Sequence, residues 1–321
     1  MTRYATLFLL TPALFGQMAI SVKSGLIHHV EGQAVMDGVA VKKKANEFPM
    51  VKEGSTFATE RGTAEILLSP GSFLRLGPDS SFQMKSVKLE DARLQMLSGK
   101  AMLEVAELAK GHHIVVGVGE AGTEITQAGL YEFDVKAGVL RVFDGKAKVM
   151  VNDQVATVKG GRVFVFDRPS TDLAKFNRKK EQDGLYAWSA MRSGLLANAN
   201  MLAARTLGSN GYRMSMAGWA YYPSLGFFTY LPRSGMCQNF FGYYYYSPAT
   251  LIAMERPRYD GGGMGGGRGA DSGFGGGGSG MATMGMGRGS GGGDFGGRGA
   301  SVSAPPPAAP AAAAGGGGRA R

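Results

Sequence analysis

The fold is decided by the stretch YEFDVKAG, which covers residues 131–138. Apolar side chains at Tyr131, Phe133 and Val135 alternate with charged ones, and a glycine turn follows at the end of the stretch. A period of two places alternate side chains on opposite faces of a strand, so one face is apolar and the other is polar. The stretch therefore predicts a half-buried β-strand that ends in a turn.

The same period continues outward in both directions, at residues 92–96 and 147–151 for example. Turn-forming pairs separate such runs from about residue 21 to residue 167, among them Asp37-Gly38, Glu53-Gly54, Pro70-Gly71, Ser98-Gly99, Asp144-Gly145 and Gly160-Gly161. Short strands separated by turns are typical of a β-sandwich or a β-roll. The similarity of residues 99–105 to residues 145–151 favours repeated strand units, but two similar hairpins of a sandwich have the same pattern. The prediction is an all-β fold, either a roll or a sandwich.

Two segments of this region resemble the core motif of FecR-domain proteins, namely residues 54–59 and 64–80. Residues 140–147 resemble a later strand of the same family, and the resemblance extends over about residues 21–168. It implies a β domain of the kind found in inner-membrane regulators, where a cytoplasmic segment controls a sigma factor and a periplasmic domain senses a transporter. This sequence shows neither such a cytoplasmic segment nor an internal membrane helix, so it is more similar to stand-alone exported FecR-domain proteins.

The N-terminus resembles a secretory signal peptide at residues 1–17. Arg3 supplies a positive charge, an apolar stretch follows from Tyr4, and Gly16 provides a small residue near a cleavage site. A buried first strand is the alternative interpretation. The leader predicts export, with a periplasmic, outer-envelope or extracellular location.

Five segments are predicted along the chain: the signal peptide at 1–17, a FecR-like β domain at 18–168, a helical segment at 169–211, an aromatic-rich segment at 212–259 and a tail at 260–321. In the helical segment, apolar residues spaced by three and four predict one amphipathic helix whose apolar stripe packs on the β body. Its members are Leu185, Trp188, Met191, Leu195, Ala199 and Leu202. Binding of a partner by this stripe is the alternative.

The composition limits the class of protein. Of 52 glycines, 26 lie in residues 261–321, so this Gly-, Pro- and Ala-rich tail is predicted to be disordered. The absence of a run of 18 apolar residues predicts no transmembrane span. A single cysteine, Cys237, excludes a disulfide framework and a cysteine-based metal cluster.

The formal charge of +10 suggests nucleic acid as a possible class of partner. The Gly-Arg-Gly triplets in the tail are few, however, and the predicted export argues against RNA. No nucleic acid partner is predicted.

The sequence motifs that could indicate a catalytic, cofactor or metal site match their patterns only in part. Residues 117–122 fit the pattern GxGxxG, but strand-like residues follow where a dinucleotide site needs a helix. The pairs His28-His29 and His112-His113 each offer one ligand to a given site, because neighbouring strand residues point to opposite faces. Carboxylates such as Glu104 are expected on the polar face of the sheet, as are Glu124 and Asp134. No catalytic residue, cofactor or metal ligand is predicted.

Residues 212–246 of the aromatic-rich segment hold thirteen of the 31 aromatic residues, interrupted by glycine and proline. This pattern excludes a long helix and predicts turns and short strands with stacked rings. The predicted partner-binding residues are Trp219, Tyr221, Tyr222, Phe227, Tyr230, Tyr243 and Tyr245. The alternative, that these rings cover an open sheet edge, is favoured.

These features predict a non-enzymatic, exported protein that binds an envelope protein or polysaccharide. Peripheral association with the envelope is compatible with the basic charge. A sensor that relays a transport or stress signal is the second hypothesis, and an enzyme that acts on glycans, prompted by the aromatic residues alone, is the third.

Overall fold

The computed structural model of the protein describes residues 23–42, 47–168, 170 and 173–256. The chain divides into two units, residues 1–260 and residues 261–321, and every described residue lies in the first. The predicted signal peptide at 1–17 and the predicted tail at 260–321 lie outside the described residues.

Nineteen strands and two helices follow one another along the described chain. The strands are β1 (Leu26–Met36), β2 (Val39–Ala40), β3 (Thr56–Leu67), β4 (Ser72–Leu76), β5 (Ser81–Val87), β6 (Asp91–Ser98), β7 (Lys100–Val105), β8 (His113–Val118), β9 (Ala121–Ile125), β10 (Gly129–Asp134), β11 (Val139–Asp144), β12 (Lys146–Val151), β13 (Gln154–Lys159), β14 (Arg162–Val165), β15 (Ala174–Lys175), β16 (Gly218–Tyr222), β17 (Phe227–Leu231), β18 (Met236–Gln238) and β19 (Tyr244–Tyr246). The helices are α1 (Gly184–Ser209) and α2 (Pro248–Glu255).

The first fifteen strands form one sheet that curls on itself. Its order is β13-β12-β9-β8-β6-β5-β3-β4-β7-β10-β11-β14-β15, with β1 and β2 beside β3. The first strand of this order, β13, is followed in the chain by β14, the second strand from the other end, because only Gly160 and Gly161 separate them. Among the described strands, β6 and β8 pair in parallel and the other pairs are antiparallel. We call this body the roll, and it confirms the predicted all-β fold.

The interior of the roll contains the apolar faces that the alternation predicted. Leu94, Phe133 and Val149 are buried in one core cluster with residues of β1, β3 and β14. The polar neighbours of Leu94 and Val149 lie nearer to solvent, as a half-buried sheet requires. Strands β4, β7 and β10 differ, because almost all of their residues are buried, so the strand predicted at residues 131–135 is buried on both faces and not half-buried. The reason is that a second layer covers their outer face.

That second layer is built by residues 176–256, which we call the cover. It contains α1, the hairpin of β16 and β17, the pair β18 and β19, and α2. The predicted helix and the predicted aromatic turn-and-strand segment are therefore both present. Neither described helix combines the length and the hydropathy that a membrane span requires.

The buried side of α1 agrees with the predicted stripe in part, because Leu185 and Ala199 are buried and Trp188 is half-buried. Met191, Leu195 and Leu202 are exposed, and the buried face also carries Arg192, Asn200 and other small, polar or apolar residues. The prediction was wrong for these three exposed residues because the helix meets polar groups on the sheet and on the hairpins. Asn200, for example, donates to the carbonyl oxygens of Tyr230 and Tyr246 and accepts from the Tyr246 N–H.

The turn between β4 and β5 carries part of the motif that predicted the family. The Thr59 hydroxyl donates to the carbonyl oxygen of Gly77 at 2.6 Å, and the Ser80 hydroxyl donates to that of Lys100 at 3.0 Å and accepts from the Lys100 N–H. The turn is thereby bonded to both β3 and β7. Residues 117–122, with the pattern GxGxxG, form the hairpin of β8 and β9, and a strand follows them.

Strands β1 and β3 bend together at Gly32 and Gly62, which pair directly. Gly62 has a φ of 147°, and a Cβ there would lie 1.9 Å from the carbonyl oxygen of Glu31. We expect Gly62→Ala to lower the free energy of unfolding by about 3 kcal/mol, because the strands would have to separate. Urea unfolding measures this. Gly122→Ala is the matched control, since its Cβ would meet open space, and an equal loss in both variants would contradict the account.

Candidate functional site

The seven predicted partner-binding residues lie in the cover, on the two strand pairs and the loop before β19. Trp219, Tyr230 and Tyr245 are completely buried. The Trp219 ring meets Phe73 of β4 edge to face at 5.1 Å, and its Nε1 donates to the Leu68 carbonyl oxygen. Rings in this position cannot contact a partner, so the prediction is wrong for these three residues. They attach the cover to the roll.

The other four predicted residues lie nearer to the surface. Tyr221, Tyr222 and Phe227 are half-buried on the hairpin of β16 and β17, and Tyr243 is 40% exposed. Tyr243 lies over the glycine of α1, because a Cβ on Gly194 would be 3.0 Å from the Tyr243 Cζ. These four residues stay a prediction for partner binding.

The sequence analysis missed a buried charge cluster between the roll and the cover. Arg75 of β4 lies between two carboxylates of neighbouring strands. Its Nε is 2.8 Å from Glu65 Oε2 on β3, and its Nη1 is 2.6 Å from Glu104 Oε2 on β7. All three side chains are completely buried. The sequence predicts Glu104 on the polar, solvent-facing side of the sheet, and this prediction is wrong because the cover lies over that side.

The cover supplies the remaining partners of the cluster. Arg192 of α1 places Nη2 2.7 Å from Glu65 Oε1, and the hydroxyl of Ser193 donates to Glu104 Oε2. On the other side of Glu65, His28 Nδ1 lies 2.8 Å from the same Oε1. Two carboxylates and two guanidinium groups therefore balance each other in the interior, as buried charges require. We call Glu65, Arg75, Glu104 and Arg192 the charge cluster.

His28 connects the cluster to the hairpin of the cover. Its Nε2 accepts the backbone N–H of Phe228 at 3.0 Å. A nitrogen that accepts carries no proton, so Nδ1 carries it and donates to Glu65. The two hydrogen bonds reach partners 37 and 200 positions away in the chain.

The electrostatics of the cluster favour its ionised form. Burial opposes the charge of Glu65, but the charges of Arg192 and Arg75 and the hydrogen bond from His28 outweigh it, so the pKa of Glu65 is well below its ordinary value. Burial likewise opposes the charge of Arg75, but Glu104 and Glu65 raise its pKa. The interior thus holds fixed ions and not a group that exchanges protons near neutral pH.

The pH dependence of stability follows from Glu65. Its pKa is lower in the folded chain than the ordinary 4.5, so its contribution is complete above that value and is lost as the pH falls toward the folded pKa. We expect the free energy of unfolding, measured in urea at a series of pH values, to fall below about pH 4.5. Glu65→Gln should flatten this dependence and Glu124→Gln, a half-exposed control, should keep it. An equal slope in all three proteins would contradict the assignment.

A second group of ions fixes the beginning of α1. Lys100 Nζ lies 2.8 Å from Oδ2 of Asp183, whose Oδ1 caps the helix by accepting the Tyr186 N–H. Next to it, Arg141 Nη1 is 2.6 Å from Glu132 Oε1. Burial raises the pKa of Glu132 although Lys100 and Arg141 act against this shift. The beginning of the helix is thereby bonded to the sheet, as its middle is through Arg192 and Ser193.

The two groups of ions join the helix, the hairpin and the sheet to one another, and they have few features of a reaction site. The titratable groups that converge are buried and bonded to one another. No group of His, Cys, Asp and Glu suited to a metal ion occurs in the described part of the chain. The strand ends of the roll form two open clefts of about 420 and 510 Å³, which share Val135 and Lys136 as a wall. Apolar and charged side chains are mixed along these clefts.

Fold and site together define an all-β domain with a covered face. Residues 55–165 match the model of the family described as FecR protein. The chain therefore carries a FecR domain, as the sequence motif predicted. No curated protein matches the chain.

Two crystal structures of a candidate anti-sigma factor from Parabacteroides distasonis are similar to the chain. Each is 14% identical; one covers 42% of this chain and 62% of its own, with a TM-score of 0.31. The other covers 43% of this chain and 65% of its own, with a TM-score of 0.33. The match spans less than two thirds of those solved chains.

Proposed function

We propose that this chain is a non-enzymatic FecR-domain protein that binds a protein or polymer partner in the cell envelope. The observation that carries the proposal is the charge cluster. The ionisable groups that the described fold brings together bond one another in its interior, so they are not available to a substrate. Other molecules would therefore bind to the outer surface of the FecR domain and its cover.

The half-buried rings of the hairpin of β16 and β17 are the proposed contact surface. Tyr221 packs against Phe228 at 5.3 Å and against Phe48 at 5.7 Å, which holds the hairpin firmly. Tyr222 and Phe227 pair across the strands near the turn, and Leu225 in that turn is 38% exposed. Partly exposed aromatic residues on a rigid element are common contact residues. Export to the envelope is part of the proposal and rests on residues 1–17.

Crosslinking in intact bacterial cells tests this proposal. The full chain should recover one specific envelope component, and Tyr222→Ser combined with Phe227→Ser should lose it. Tyr212→Ser is the matched control, because Tyr212 is 46% exposed outside the hairpin, and this variant should keep the partner. Recovery of no component by the full chain, or equal recovery by all three proteins, would contradict the proposal.

A regulatory sensor is the second candidate, and the FecR match favours it. In this role, binding at the same surface would change the transcription of a linked transporter or sigma regulon. Deletion of the gene tests this candidate by transcriptome measurement. An unchanged transcriptome would remove the regulatory role and would leave the binding role in place.

A further inference from the structure

Helix α1 carries apolar side chains on its exposed face as well as on its buried face, where Leu185 and Leu196 lie. The face toward the sheet carries Arg192 and Asn200, which bond buried groups of the roll and the hairpins. The opposite face carries Met191, Leu195 and Leu202, which are 50%, 44% and 39% exposed. A surface helix normally buries its apolar stripe. We call these three residues the outer stripe.

Exposed apolar side chains are concentrated in the cover as a whole. Of sixteen exposed large hydrophobic side chains among the described residues, eleven lie between Met191 and Met254. Five of these eleven are methionines, and Tyr243 lies beside the outer stripe over Gly194. Flexible methionines are frequent on adaptable binding surfaces, and tyrosines are enriched at membrane interfaces. Such a concentration marks an interaction surface.

The same part of the chain is strongly basic. Residues 176–256 contain eight Lys and Arg and three Asp and Glu, whereas residues 47–168 contain fifteen and sixteen. Exposed cations lie near both ends of α1: Arg178, Lys179 and Lys180 precede it, and Arg213 follows it. The apolar outer stripe therefore lies between two cationic ends.

We propose that the outer stripe of α1 docks the protein on an anionic lipid surface. Lipid headgroups of negative charge complement the cationic ends, and the apolar boundary beneath them accepts methionine, leucine and tyrosine side chains. The outward face of the helix carries no charged residue from Gly184 to Leu202, and Arg205, one turn further on, is paired with Glu255. The proposal does not rest on the proposed partner at the hairpin.

A second copy of the chain is a weaker occupant on the same evidence. In an antiparallel or a parallel pair of α1 helices, a cationic end meets another cationic end. The like charges of the two ends repel each other and weaken the pair of helices. An anionic surface is attracted to both ends at once.

Vesicle flotation with the purified full chain tests the apolar part of the proposal. We expect binding to vesicles of phosphatidylglycerol and phosphatidylcholine and little binding to phosphatidylcholine alone. Leu195→Gln combined with Leu202→Gln should reduce binding about tenfold. The matched control is Met150→Gln combined with Val155→Gln on the roll, at 42% and 58% exposure, and it should bind as the wild type does.

A charge variant tests the electrostatic part of the proposal. Lys179→Gln combined with Lys180→Gln should reduce binding to the anionic vesicles about tenfold, and added salt should reduce it further. Lys148→Gln combined with Lys159→Gln removes two exposed lysines of the roll and should change little. Light scattering after gel filtration of each variant records the oligomeric state and confirms that the fold is intact.

Three results would overturn the proposal. The first is equal binding to neutral and anionic vesicles, and the second is binding that the stripe variant leaves unchanged. The third is a stable dimer of the wild type that the stripe variant converts to a monomer, which would assign the stripe to a second copy. A failure here leaves the crosslinking test of the hairpin unaffected, because that test uses different residues.

Discussion

Replacing Arg75 with alanine should lower the free energy of unfolding by about 3–5 kcal/mol. The variant leaves the carboxylates of Glu65 and Glu104 buried without the cation that lies between them at 2.8 and 2.6 Å. An uncompensated charge in a protein interior costs far more than a broken ion pair at the surface. Urea unfolding followed by circular dichroism measures the loss.

Arg93→Ala is the control for this experiment. Arg93 pairs with Asp91 at 2.8 Å in the same sheet, but its side chain is 55% exposed. An exposed pair contributes less than about 1 kcal/mol. Equal losses in the two variants would show that the charge cluster adds nothing beyond an ordinary surface pair.

Replacing Trp219 with alanine should cost about 3–5 kcal/mol as well. Trp219 is completely buried between Phe73 of the roll and Tyr230 of the hairpin, so its loss leaves a large cavity at the junction of roll and cover. It also leaves the Leu68 carbonyl oxygen without the indole donor. The measurement is the same unfolding experiment.

Tyr243→Ala is the matched aromatic control for Trp219. Tyr243 is 40% exposed, so its removal should cost at most about 1 kcal/mol. A small loss for Trp219→Ala and a large one for Tyr243→Ala would contradict the placement of these rings and would return Trp219 to the set of binding candidates.

The period-two pattern was sufficient to predict an all-β fold, with a roll and a sandwich both open, because the buried face of a strand is visible in its alternate residues. It failed at strands buried on both faces. There the sequence has a different signal, a single charge within an apolar run, as in Arg75 within residues 72–76 and Glu104 within residues 101–106. A lone charge in such a run indicates a buried ion that needs a partner.

The helix face was mispredicted for a related physical reason. Periodicity identifies an apolar stripe but not the surface against which the helix packs. Here that surface presents Glu65 and Glu104, so Arg192 and Ser193 turn inward, and only part of the predicted stripe faces out. The partners are 127 and 89 positions apart in the chain, and no local pattern reports a pairing over that distance.

The charge cluster has a consequence for how the protein works. Because Glu65 bonds α1 through Arg192 and the hairpin through His28, the cover is fixed to the FecR domain by ions as well as by apolar packing. The surfaces proposed for the partner and for the lipid both lie on this cover. Their orientation relative to the FecR domain is therefore set by the fold.

Unfolding in urea with two probes tests most directly whether the cover is fixed to the FecR domain. Both tryptophans of the chain, Trp188 and Trp219, lie in the cover, so their fluorescence reports the cover, whereas the circular dichroism of the strands reports mainly the roll. The charge cluster predicts a single cooperative transition with the same midpoint for both probes. A fluorescence transition at a clearly lower urea concentration than the strand signal would show that the cover detaches by itself and would contradict the account.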